Sequence, residues 1–251
     1  MWLKRGVYLK ILGNLFIIFM LYILPLVFYL RTVKIKRNSK LIKIIVIIAY
    51  ISLYFLLPEL YNNILPFVLI IFILANWVSS KCKNDDYIKY RFSLGDFRIG
   101  KALIYVLLVY GFIIMCGLFW LLLLLLLKIP IERQQVITML SDYDLVSFII
   151  TIPFTVIFAP VVEEFVFRYL FYGKFLRSRF KGEFGFIISA SIVSILFASI
   201  HFSISAFASL FVVSFFNCYL IEKEGFWYSV FIHLFVNGVS TFILLLSKII
   251  L

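Results

Sequence analysis

The sequence predicts an all-α, polytopic integral membrane protein of about eight transmembrane helices, with an intramembrane polar site in its C-terminal half. Three observations predict it. Of 251 residues, 65% are hydrophobic and 14% charged, against roughly 45–50% apolar and about 25% charged in a soluble domain. Mean hydropathy is +1.12. That is more apolar surface than one water-soluble core can hide, so lipid must cover the rest. The apolar runs are continuous rather than alternating, which selects helices over barrel strands. Together these features exclude a disordered chain and a secreted disulfide scaffold, and argue against a soluble enzyme.

The helices follow from the runs, since a span needs about 20 apolar residues. Ile11–Leu30 is the first, and no small-residue cleavage site follows it, so it is expected to be retained. Leu41–Leu57 and Ile64–Val78 are shorter and flank the turn Pro58–Asn63. Ala102–Leu127 ends in seven consecutive leucines. A long run from Leu145 to about Leu176 is interrupted by Pro153, Pro160, Glu163, Glu164 and Arg168. Phe184–His201, Ser203–Leu220 and Phe226–Leu246 complete the set. No internal repeat or linker is visible. The chain reads as one membrane domain, with 1–140 as N-terminal helices without a family signature and 141–251 as the functional part.

The net charge of +12 is assigned to loops and anionic lipid rather than to nucleic acid. Eighteen of the 24 Lys and Arg residues fall in Arg31–Lys43, Lys81–Lys101, Arg168–Lys181 and Lys223. These loops are expected in the cytoplasm and both termini outside, although Lys4 and Arg5 pull the other way. Cys116 and Cys218 lie inside apolar runs and Cys82 in a Lys-rich loop; no CxxC pair exists.

Of the twelve acidic residues, only Glu163 and Glu164 lie deep in an apolar stretch. An ionisable group at such depth costs about 2.5–3.5 kcal/mol on insertion scales. Arg168, four residues after Glu164, shares its helix face and can pair with it. Glu163 is about 100° round the helix, has no local partner, and must face a polar cavity. The chain has two histidines, His201 and His233. Phe197 lies one turn before His201 and can buttress it; Asn237 lies one turn after His233 on the same face. Packing alone accounts poorly for so many polar groups in the last 90 or so residues.

Glu163-Glu164-xxx-Arg168, then Phe197-xxx-His201, then His233-xxx-Asn237, resembles the three-motif signature of the CAAX-protease and bacteriocin-processing (CPBP) family. That family includes the type II CAAX prenyl endopeptidases and the Abi-type bacterial proteins. The resemblance covers roughly Leu145–Leu246, and no motif position departs from it.

The resemblance implies an intramembrane, metal-independent glutamic endopeptidase without a cofactor. Glu163, helped by His201, would take the proton from water, a carboxylate drawn out of water being a stronger base. His233 and Asn237 would donate hydrogen bonds to the tetrahedral oxyanion. Glu164, Arg168 and Phe197 would support these four. Ser199 and Ser203 flank His201, but neither sits in a GxSxG-like turn. From the residues alone a His₂Glu zinc site of Glu163, His201 and His233 stays open, although there is no HExxH.

The expected substrate is a peptide or protein segment, and lipid the expected surroundings. A composition rich in Ile, Lys, Phe and Asn resembles low-GC Gram-positive bacteria. A multi-pass protein of a bacterial plasma membrane is therefore expected, engaged in bacteriocin or peptide-pheromone processing or self-immunity. Two rivals are a non-catalytic immunity or sensor-scaffold protein and a proton-coupled transporter. Hydropathy also poses a conflict. It puts Glu163 near mid-membrane, His201 at a helix end, and His233 about 10 Å from the opposite end of its own helix. If the groups meet, either the expected helix ends are misplaced or the late helices are short, tilted or re-entrant.

Overall fold

A computed structural model describes residues 11–32, 39–57, 63–79 and 85–250. Lys4, Arg5, Lys10, residues 33–38 of the first basic loop, residues 58–62 of the predicted turn, and Cys82 lie outside them. Among the described residues every regular element is helical. The helices are α1 Ile11–Thr32, α2 Ser39–Leu56, α3 Ile64–Ser79, the single turn α4 Asp85–Lys89 and α5 Ile99–Leu126. There follow α6 Gln135–Asp142, α7 Leu145–Arg179, α8 Gly182–Ser199, α9 Phe207–Lys223 and α10 Phe226–Ile250.

All eight apolar runs are helical, but they are not eight equal spans. By length and composition five of the described helices can cross a membrane: α1, α5, α7, α8 and α10. The apolar parts of α2 and α3, Lys43–Leu56 and Ile64–Val78, are shorter. α9 has 17 residues and ends in Glu222 and Lys223. It starts at Phe207 rather than Ser203, because residues 200–206 form a turn in which Phe202 takes a φ of 48°. The amphipathic α6 lies in a stretch expected to be loop. Side chains such as Leu107, Phe119, Leu126, Phe55 and Ile250 are more than half exposed, as a lipid-facing surface requires.

α7 is the axis of the molecule. Asp144 caps it, accepting from the Val146 and Ser147 amides and the Ser147 hydroxyl. The Ser147 hydroxyl and these amides hold the Asp144 carboxyl below the usual carboxylate range. From Phe165 to Leu170 every α7 side chain is buried. They join one core with Met20 and Leu21 of α1, Ile70, Ile73 and Trp77 of α3, Val193 of α8 and Cys218 of α9, so the main core draws on both halves of the chain. A second cluster sets Val106 and Val109 of α5 against Val213 and Leu220 of α9 and Ile232 of α10.

The three basic loops that can be described meet at one end. Lys174 pairs with Asp86, Lys101 with Glu224, and Arg177 with Glu222. The segment after α4 folds beneath the start of α10: the Phe226 amide donates to the Tyr90 carbonyl at 2.8 Å and Trp227 Nε1 to the Phe92 carbonyl at 2.8 Å. Gly225 permits this approach with a φ of 114°; a Cβ there would sit 2.7 Å from that of Arg91. Arg168, counted above with the basic loops, is instead fully buried in the core.

This arrangement removes the depth conflict. α10 starts inside the bundle, with the Phe226 ring 6.3 Å from that of Phe165, so two turns later His233 reaches the glutamates. α8 has 18 residues, about 27 Å of helix. It returns from the basic end of α7 and stops near the level of Glu163, where the turn holds His201.

Candidate active site

Proline chemistry in α7 creates the first element of the site. The helix widens at Phe154–Phe158, where the Ala159 amide reaches back five residues to the Phe154 carbonyl. The next amide that could serve the Thr155 carbonyl belongs to Pro160, which has no N–H. That carbonyl is left without a helical donor, and Asn237 Nδ2 of α10 donates to it at 3.0 Å. A second widened stretch, Glu164–Leu176, begins at the glutamate pair. Helices of this pitch are rare and frequently accompany functional sites.

Below this point lies a dry polar knot. Glu164 and Arg168 are both fully buried, and Arg168 Nε stands 3.1 Å from Glu164 Oε2, one turn along as the spacing predicts. The contact is an ion pair without hydrogen-bond alignment. The guanidinium also lies over the Phe197 ring at 4.2 Å. Glu164 Oε1 accepts from Asn217 Nδ2 of α9 at 3.1 Å and from His233 Nδ1 of α10 at 2.7 Å. One carboxylate thus ties α7 to α9, α10 and the guanidinium. Because a carboxylate only accepts, the contact assigns a proton to His233 Nδ1.

Above the knot the same helices line a cavity of about 220 Å³. Glu163, 17% exposed at its side chain, points into it, and its Oε2 lies 3.6 Å from His233 Nε2. His201 lines the same cavity, as does Asn237. The His201 Nδ1 is 2.7 Å from the Phe197 carbonyl, which places the proton on Nδ1 and leaves Nε2 of the neutral ring as an acceptor. The Phe197 ring touches both imidazoles, 4.8 Å from His201 and 5.7 Å edge-to-face with His233. Thr155, Ser240 and Thr241 add hydroxyls to the wall.

All seven residues singled out in the sequence therefore meet within one region, with Glu163, His201, His233 and Asn237 on the cavity and Glu164, Arg168 and Phe197 behind it. Two participants escaped sequence reading. Asn217 sits within the apolar run of α9, where one amide carries no motif; only its depth could have flagged it. The Thr155 carbonyl is a backbone group, legible only through Pro160. Regarding a His₂Glu zinc site, among the described residues no three His, Cys, Asp or Glu are arranged to hold a metal. His233 holds its Nδ1 proton on Glu164 and His201 on the Phe197 carbonyl, so the nitrogen each ring keeps for the cavity is Nε2.

The arrangement can bind a water molecule, accept its proton at a carboxylate or imidazole, and present donors to a developing negative charge. No curated protein and no solved structure matches the chain. Residues 145–239 match the family model described as type II CAAX prenyl endopeptidase Rce1-like, a span that holds all three motifs. This segment of a multi-pass membrane protein is thus similar to the Rce1-like type II CAAX prenyl endopeptidases, a family of membrane proteases.

Proposed function

We propose that this protein is an intramembrane endopeptidase that hydrolyses a peptide bond with water activated by Glu163 and His201, without a metal. The observation that carries the proposal is the convergence of Glu163, His201 and His233 on one cavity inside the helical bundle. Water held between Glu163 and His201 Nε2 would lose its proton to the carboxylate as it attacks the carbonyl carbon. The remaining amide hydrogen of Asn237, and His233 Nε2, would donate to the oxyanion as it develops.

The tautomer set by Glu164 constrains this role. With its Nδ1 proton committed, His233 donates through Nε2 only when both nitrogens are protonated. Glu163 and Glu164 flank the ring and Arg168 offsets one of their charges. An imidazolium would offset the other, which supplies a physical reason for a second glutamate. Protonated Glu163 would return its proton to the leaving amine as the tetrahedral intermediate collapses.

Processing of a peptide pheromone or bacteriocin, or self-immunity, is the biological setting we favour, by analogy with the CAAX-protease and bacteriocin-processing family and on a composition like that of low-GC Gram-positive bacteria. A non-catalytic scaffold would need neither a cavity nor an aimed carboxylate. The test is Glu163→Gln, which keeps the shape and removes the base. Loss of peptide processing with unchanged membrane insertion is expected; full biological activity in the variant would move the protein to the scaffold class.

A further inference from the structure

The two ends of the bundle differ in charge, and among the described residues the lining of the cavity extends toward one of them. With Arg168 withdrawn into the core, seventeen of the 24 Lys and Arg residues fall in the four basic segments of the sequence, and the described parts of three of these segments meet at one end. Lys89, Arg91, Lys101, Lys174, Arg177 and Lys223 are placed there by the structure itself, in or beside the Asp86–Lys174, Lys101–Glu224 and Arg177–Glu222 pairs. Such loops are retained on the cytoplasmic side.

Between that end and the site lies a closed layer of rings. Phe92 packs on Trp77 at 5.2 Å, on Tyr169 at 5.1 Å and on Phe226 at 4.7 Å, and Phe165 lies on Tyr169 at 5.1 Å. All of these side chains are buried. The hollows at the basic end are lined by groups such as Arg91, Arg98 and Lys181, and share no residue with the site.

The cavity runs the other way. Its outer wall is Asn63, Gln134, Ile137, Ser240, Thr241 and Leu244. Asn63 and Gln134 precede α3 and α6 at the end remote from the basic loops. α6 borders the mouth, and the Lys248 ammonium fastens it to α10 by donating to the Ser141 and Tyr143 carbonyls. Near this end the cations among the described residues are the exposed Lys128 and Arg133 and the half-buried Lys248.

We infer that the cavity opens to the non-cytoplasmic side of the membrane. The peptide that reaches Glu163 is then a segment that has already crossed the bilayer, or the outer portion of a membrane-inserted one. A translocation step must therefore supply the substrate. The direction of opening is a geometric statement; that the occupant is a substrate rests on the endopeptidase reading.

Single cysteines placed in a Cys82→Ser background test the direction without requiring activity. Arg133→Cys marks the end bearing the mouth, Lys181→Cys the basic end, and Ser240→Cys the cavity wall. Intact cells are treated with a membrane-impermeant sulfonated maleimide for the first two and a charged methanethiosulfonate for the third, with the Cys82→Ser parent as background. Arg133→Cys and Ser240→Cys should be labelled on intact cells, and Lys181→Cys only after permeabilisation. Labelling of Lys181→Cys but not Arg133→Cys on intact cells overturns the inference, as does a Ser240→Cys that reacts only after permeabilisation or not at all. If the expected pattern holds while Glu163→Gln retains full activity, the endopeptidase reading fails and the direction of opening stands.

Discussion

Glu163 and Glu164 are neighbours in the chain and stand in different media. Glu164 is sealed from water and answered by a guanidinium, an amide and an imidazole. Glu163 borders a cavity, and its nearest charged partner is the far nitrogen of the same imidazole at 3.6 Å. The difference follows from helix geometry, since one residue of rotation turns the first carboxylate toward α10 and the cavity and the second into the space between α7, α9 and α10. A carboxylate whose lone pairs are occupied positions other groups. One that faces water and a single distant partner keeps its basicity for a reaction. The buried knot is thus expected to carry stability and alignment, and the cavity wall chemistry.

The sharpest way to break this comparison is to remove the cavity carboxylate. Glu163→Gln should lower turnover by about 10²–10⁴-fold, the range for a general base, with a melting temperature in detergent equal to or above that of the parent. A large loss of stability instead would mean that the two glutamates form one coupled unit.

Arg168→Ala should do the reverse in emphasis. It leaves a buried carboxylate without its cation, which costs about 3–5 kcal/mol, read as lower folded yield and melting temperature. Joining Glu164→Gln to Arg168→Gln should harm less than the sum of the single changes, because the charges vanish together. The double variant should still be weaker than the parent, because Asn217 and His233 lose a charged acceptor. Simple additivity would show that the ion pair is not the organising contact of the knot.

The two asparagines sharpen the contrast at smaller scale. Asn217→Ala removes a buried donor to a carboxylate, worth about 1.5–3 kcal/mol for a hydrogen bond to a charged group. Asn237→Ala frees a carbonyl beside a cavity that water can reach, so its stability cost should be about 0.5–1.5 kcal/mol, the net value of an ordinary hydrogen bond. Its activity loss should be the larger of the two. Calorimetry and turnover on both variants check the ordering. The smallest effect is expected from a strong chelator, which should leave turnover unchanged; loss that zinc restores would make ligands of Glu163, His201 and His233.

Much of the site was legible because membrane depth turns every polar residue into a question. In α7 the apolar flanks of Glu163 and Glu164 made them conspicuous, and the four-residue spacing to Arg168 announced its ion pair. The same rule was silent on Asn217, because a lone amide is cheap enough to occur as ordinary packing. It also misfiled Arg168 as a loop cation, since a count of basic residues cannot see that a guanidinium is buried over Phe197.

The positions of the apolar helices, and the residues that would stand out as costly within them, are set by the sequence alone, because transfer from water to lipid is a local property of each run. Where those residues meet was decided only in three dimensions. α10 starts recessed because residues 90–98 fill the space beneath it. α8 stops at the level of Glu163, and Pro160 strips the Thr155 carbonyl of a donor that Asn237 then supplies. Each of these depends on contacts between segments far apart in the chain. Hydropathy sums free energy along one helix and holds no information about which neighbour shares its depth.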